Sequence, residues 1–233
     1  MATYVHSRSA LVPHVVRQGA WFVFGSAVAF GIPYVGVSLL DLQHDLYYGA
    51  YFAITLAMLA AYVRSEHVDI RALFTRNWIW SLAVGVPIAA FVVWNVFRTD
   101  DATARPHGAY FAFEILWRGV GYGVVDALLL TAFPCVVAYS MLHGHIRGIL
   151  GRARYIAIAL PMILVITATY HLGYPQYRQD GVAKPEIGNT LISIPMLATA
   201  NPIGSIGAHV SMHVTAVTHS YETTIFLPPK TDS

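Results

Sequence analysis

The chain has 233 residues, of which 56% are hydrophobic and 11% charged, with a mean hydropathy of +0.55; this composition argues against a soluble globule. A formal charge of +2 carried in short segments argues against a nucleic-acid partner. With one cysteine, Cys135, there is neither an intrachain disulfide nor a thiolate zinc cluster, and Cys135 reads as a small buried apolar residue.

The apolar residues are bunched into uncharged runs at 18–40, 46–63, 77–97, 127–146, 155–177 and 187–221. A helix needs roughly 20 apolar residues to cross the hydrocarbon core, and no alternating ten-residue barrel strands appear. The sequence therefore predicts an all-α, polytopic helical membrane bundle. Six spans fit, at about 19–40, 46–63, 77–97, 109–142, 155–172 and 189–220. The whole chain reads as one membrane domain, with an N-terminal segment 1–18, a bundle 19–220 and a short tail 221–233. The segment 1–18 lacks an apolar core followed by a small-residue cleavage site, and Pro13, His14 and Arg17 interrupt its end, so no cleavable signal peptide is expected. Six crossings place nine basic residues (Arg8, Arg17, Arg64, Arg71, Arg76, Arg147, Arg152, Arg154, Lys230) on one side and four (Arg98, Arg105, Arg178, Lys184) on the other. The positive-inside rule then puts both termini in the cytoplasm, in the plasma (inner) membrane of the cell.

Two of these spans are too long. Residues 109–142 would cover about 50 Å as a straight helix. Either the chain bends at Gly119, Gly121 and Gly123, or one tilted helix uses Gly119 and Gly123 as a close-packing face. In the last span Pro202 donates no backbone hydrogen bond and biases Asn201 away from helix, so an interruption is expected at 201–202.

Few ionisable groups lie inside these spans, and such groups commonly mark function. Glu114 and Arg118 are one helical turn apart and form either a surface-type ion pair or part of a site. Asp126, two turns further, either ties helices together or takes part in chemistry. Thr167 and His171 are one turn apart near the end of the fifth span, where His171 also suits an aromatic interfacial belt with Tyr170 and Tyr174. Asn201, Ser205, His209 and His213 recur every four residues along one stripe, where neighbouring imidazoles can hold a metal or hydrogen-bond other helices.

These residues resemble motifs of the CAAX-protease and bacteriocin-processing (CPBP) family of intramembrane proteases. Glu114-Ile115-Leu116-Trp117-Arg118-Gly119 is similar to its Glu-Glu-x-x-x-Arg motif, with Phe113 in place of the first glutamate. Thr167 to His171 is similar to its Phe-x-x-x-His motif, and His209 to His213 to its third, in which an Asn usually holds the second position. The resemblance implies an intramembrane endopeptidase acting on a membrane-associated peptide or protein. In it Glu114 activates water, and His171 and His209 polarise the oxyanion directly or through a divalent ion such as zinc. His213 would support them, Arg118 would hold Glu114, and Asn201 would assist. Convergence of Glu114, His171 and His209 in one cavity is the geometric expectation. The residues also leave open a non-enzymatic transporter or small-ligand or metal-binding module, and a haem-bearing electron carrier using two interhelical histidines.

Overall fold

The computed structural model describes residues 8–222, with side chains from residue 13 onward; Lys230 and the outer parts of both terminal segments lie outside them. Every regular element among the described residues is helical, as expected. We number them α1 (Arg8–Pro33, continued by π turns Tyr34–Leu39), α2 (His44–Ser65), α3 (Ile70–Thr75), α4 (Trp78–Thr99), α5 (Gly108–Met141), α6 (Gly148–Leu172), α7 (Pro175–Asp180), α8 (Ala183–Thr199) and α9 (Ile203–His219). Among the described residues, five stretches are long and apolar enough to cross a membrane: Pro13–Leu39, His44–Ser65, Trp78–Thr99, Gly108–Met141 and Gly148–Leu172. Their outward faces carry exposed apolar side chains such as Phe24, Ile79, Trp80, Val86, Trp94 and Phe97, as lipid contact requires. The protein is a multi-pass helical membrane protein.

Side-chain bonds fix the two ends of the bundle. At the arginine-rich end, Gln18 of α1 donates to Glu66 beyond α2, Tyr62 donates to Gln18, and Arg76 donates to Tyr139 of α5. At the opposite end, Ser38 donates to the Gly173 carbonyl beyond α6, and Ser220 donates to Asp100 beyond α4. All the long helices run between these ends.

The expected interruption at 201–202 is present and sharper than a kink. Ala200 adopts a left-handed conformation (φ 54°), and α8 and α9 are separate helices of 17 residues each. Both run the depth of the bundle in opposite directions. Near its start α8 bonds the far end of α6 through Asn189 and Thr167; near its finish the Met196 carbonyl accepts from Tyr155 at the beginning of α6. Helix α9 then begins beside Ser81, at the start of α4, and its end lies where His219 meets the Asp100 carbonyl. The single sixth crossing expected at 189–220 is thus two antiparallel helices. Tyr221 consequently lies at the opposite end of the bundle from Gln18, and both chain termini fall outside the described residues. A 32-residue apolar run had concealed a reversal that only the Ala200-Asn201-Pro202 turn makes possible.

In α5 the interruption takes the form of π-helical turns at Ile115–Gly121 and Leu128–Ala132, and the chain continues through them without a break. Such bulges often accompany functional positions because they re-aim side chains. The glycines act as a packing face, the second of the two arrangements considered. A Cβ on Gly123 would stand 2.8 Å from Val210 Cα, and one on Gly119 would stand 2.9 Å from Val214 Cγ2, so α9 lies directly against α5. On its other side α9 is held by α4, where a Cβ on Gly85 would stand 2.5 Å from Gly204 Cα.

Candidate metal centre

The α9 stripe faces inward: Asn201, Ser205, His209 and His213 are all buried. The two histidines meet Asp126 of α5, itself buried, across the glycine-mediated contact. Asp126 Oδ2 lies 3.5 Å from His209 Nδ1 and 3.6 Å from His213 Nε2. One donor atom from each of the three residues lies within 4.8 Å of the other two.

The surroundings fix how these groups are used. Asn189 of α8 donates through Nδ2 to the Leu130 carbonyl and to Thr167 Oγ1 (2.6 Å). That orientation makes its Oδ1 an acceptor, from Thr131 Oγ1 at 3.1 Å and from His209 Nε2 at 3.1 Å. His209 therefore carries a proton on Nε2, and in the neutral ring its Nδ1 presents a lone pair toward Asp126 Oδ2. A lone pair and a carboxylate oxygen repel unless a cation lies between them, either a proton or a metal ion. The other oxygen, Oδ1, accepts from Tyr51 at 3.2 Å. The Tyr122 ring packs edge-on against His213 with centroids 4.7 Å apart.

The two spacings from Asp126 fit a metal. Bonds of about 2.0–2.1 Å at a tetrahedral angle separate neighbouring donors by about 3.4 Å. Both oxygen–nitrogen distances are close to that edge. Two imidazoles and one carboxylate suit zinc or iron(II), and the bond from His209 to Asn189 is the kind of outer contact that fixes a ligand's tautomer.

No known protein family, curated protein or solved structure matches this chain.

The other expected site residues lie elsewhere. Glu114 is buried near the opposite end of the bundle, where its Oε2 accepts from Arg118 Nη1 at 3.0 Å and from the Tyr221 hydroxyl at 2.9 Å. Arg118 also lies over the Tyr221 ring, 4.6 Å from its centroid. Burial holds the Tyr221 hydroxyl above its ordinary pKa, against the nearby Arg118 charge, so it remains a donor to Glu114. Twelve residues of α5 separate Glu114 from Asp126, roughly 18 Å along the helix. Glu114 therefore does not join the histidines, contrary to the geometric expectation, because Arg118 and Tyr221 hold it near the end of the bundle. His171 also stays apart: its Nδ1 bonds the Thr167 carbonyl at 2.8 Å, and its ring packs against Tyr170 and Tyr177. Asn189 occupies the place between Thr167 and His209, so His171 and His209 do not form the expected metal pair.

Asn201 is a joint of the fold. Its Oδ1 accepts from Ile203 N at the start of α9, and its Nδ2 donates to the carbonyls of Leu73, Phe74 and Arg76 at the C-terminal end of α3. Asn189, Tyr47, Tyr51 and Tyr122 were not singled out in the sequence, and Tyr170 and Tyr174 entered only as an interfacial belt beside His171. Tyr122, Tyr170 and Tyr174 are linked hydroxyl to hydroxyl at 2.8 Å, and Tyr47 extends the chain from Tyr174. A spacing signal existed for this cluster: Tyr47 and Tyr51 stand one turn apart in one apolar run, and Tyr170 and Tyr174 do so at the end of another.

Proposed function

We propose that this membrane protein carries one divalent transition-metal ion ligated by Asp126 Oδ2, His209 Nδ1 and His213 Nε2. The observation that supports this most is the facing of the His209 Nδ1 lone pair toward a carboxylate oxygen, at a distance close to a tetrahedral edge. Three protein ligands leave a coordination position for water, which a bound zinc ion makes acidic near neutral pH. Asn189 orients His209, Tyr51 holds Oδ1 of Asp126 and leaves Oδ2 for the ion, and Tyr122 restrains the His213 ring. The positive-inside rule assigns the arginine-rich end to the cytoplasm.

Peptide hydrolysis enters this proposal in a narrower form than the motif resemblance implies. A metal-held water would take the place of one activated by Glu114, and a membrane-associated peptide would be the substrate.

The test is titration of purified, chelator-stripped protein with Co²⁺, a visible reporter for tetrahedral zinc sites. One equivalent should bind with d–d absorption, Zn²⁺ should displace it, and Asp126→Asn and His213→Ala should each abolish it. Absence of saturable binding, or the same binding in folded variants, would reject the metal reading. Cleavage of membrane-peptide substrates that survives complete metal removal would reject its hydrolytic extension alone.

A further inference from the structure

A second feature lies at the arginine-rich end, away from the metal ligands. A cavity of about 900 Å³ opens between the start of α4, the end of α5 and the start of α6. Its lining includes Arg76, Arg147, Arg152 and Tyr139, with Ile149 and Ile156, and, among the described residues, no acidic side chain. The described carboxylates nearest in sequence to Arg76 are engaged elsewhere. Glu66 accepts from Arg17, Gln18 and Trp21, and Asp69 caps α3 by accepting from Ala72 N.

The arginines are positioned but not saturated. Arg76 donates through Nη1 to the Tyr139 hydroxyl at 2.6 Å and lies over that ring, while its backbone carbonyl is held by Asn201. Its buried Nε, and the buried Nη1 of Arg152, have no hydrogen-bond partner among the described residues. Two guanidinium nitrogens sheltered from water without an acceptor are costly, and an anion in the cavity would remove that cost. The first turn of the 25-residue α6 also faces this place: it begins at Gly148, itself a cavity-lining residue, and helix starts present unpaired N–H groups. Beside the arginines, Ile149 and Leu150 on α6 are exposed, as is Trp78 on α4. Charged groups inside a cavity with apolar side chains at its rim match a ligand with an anionic head and an apolar tail.

We propose that this cavity binds the phosphate headgroup of an anionic glycerophospholipid, with Arg76 and Arg152 as its main contacts and Arg147 at the rim. Basic pockets between membrane helices recognise such headgroups through charge and bidentate hydrogen bonding.

The experiment measures lipid binding to the full-length protein in neutral detergent by native mass spectrometry and by thermal unfolding. Three probes are compared: dioleoylphosphatidylglycerol, dioleoylphosphatidylcholine and inorganic phosphate. Phosphatidylglycerol should be retained and should raise the unfolding midpoint by several degrees, and phosphatidylcholine should do neither. At about fivefold per arginine, Arg76→Gln with Arg152→Gln should weaken phosphatidylglycerol binding on the order of 30-fold. Inorganic phosphate alone giving the full, arginine-dependent shift would assign the site to a free phosphate rather than a lipid and overturn the proposal. Equal retention of the two lipids, equal binding by wild type and variant, or no binding would overturn it as well. Should the double variant fail to fold, Arg147→Gln, at an exposed position, should still weaken retention about fivefold, and unchanged retention would count against the site.

Discussion

Gly123→Ala tests how the metal ligands are held together. Its new Cβ would stand 2.8 Å from Val210 Cα and 3.1 Å from Val210 N, beside His209. Reaching ordinary contact at 3.4 Å requires α5 and α9 to part by about 0.6 Å. Helix α9 has little room to retreat, because Gly204 is already packed on α4 and a Cβ there would stand 2.1 Å from Ser81 O. Overpacking of this kind costs about 1–3 kcal/mol. The same movement would stretch the Asp126–His209 and Asp126–His213 distances from 3.5 and 3.6 Å to about 4.1–4.2 Å, beyond the tetrahedral edge of about 3.4 Å. Thermal unfolding with and without Zn²⁺ reads both effects. At a metal concentration 100 times its dissociation constant the wild type gains about 2.7 kcal/mol; a tenfold weaker site gains only about 1.4 kcal/mol. Gly207→Ala is the control on the same helix, since its Cβ would meet nothing within 4 Å; it should be neutral or stabilising by up to about 1 kcal/mol. A destabilised Gly123→Ala protein that kept the full metal increment would refute the link between the glycine contact and the ligand geometry.

Asn189→Ala should lower metal affinity by about 10–100-fold, read by competition with a chromophoric chelator, because His209 loses the acceptor that fixes its tautomer. Unchanged affinity would remove Asn189 from the account. Arg118→Gln strands the buried Glu114 charge and should destabilise by about 3–5 kcal/mol, and adding Glu114→Gln should recover much of this in thermal unfolding. Metal binding by the folded double variant should match wild type, since Glu114 lies roughly 18 Å along α5 from Asp126; loss of binding would restore Glu114 to the site. Ala200→Gly relieves a left-handed backbone at a non-glycine residue and should stabilise by about 1 kcal/mol, with a lowered unfolding midpoint as the contrary result.

Much of this was legible in the sequence for physical reasons. Length and apolarity alone require helices in a membrane, and the four-residue stripe of Asn201, Ser205, His209 and His213 is inward because polar groups at that depth avoid lipid. What was not legible was which acid meets the histidines. Glu114 carried the motif resemblance, but Arg118 and Tyr221 engage its Oε2 locally. Asp126 had no sequence neighbour to neutralise it, and that isolation was the better signal of a partner on another helix. Tyr221 lies just beyond the last expected span, 189–220, so nothing in the spacing placed it over Glu114. The turn at Ala200 was obscured because an alanine gives no hint of a left-handed conformation. Asn189 was hidden at the edge of an expected span, although an amide is the side chain that can donate to one helix and accept from another.

Anomalous diffraction at the zinc edge from crystals grown with Zn²⁺ most directly tests the central claim. The account predicts one peak lying about 2.0–2.2 Å from Asp126 Oδ2, His209 Nδ1 and His213 Nε2 together, with Asn189 still accepting from His209 Nε2. A structure with ordered zinc at other positions and none among these three atoms would contradict it.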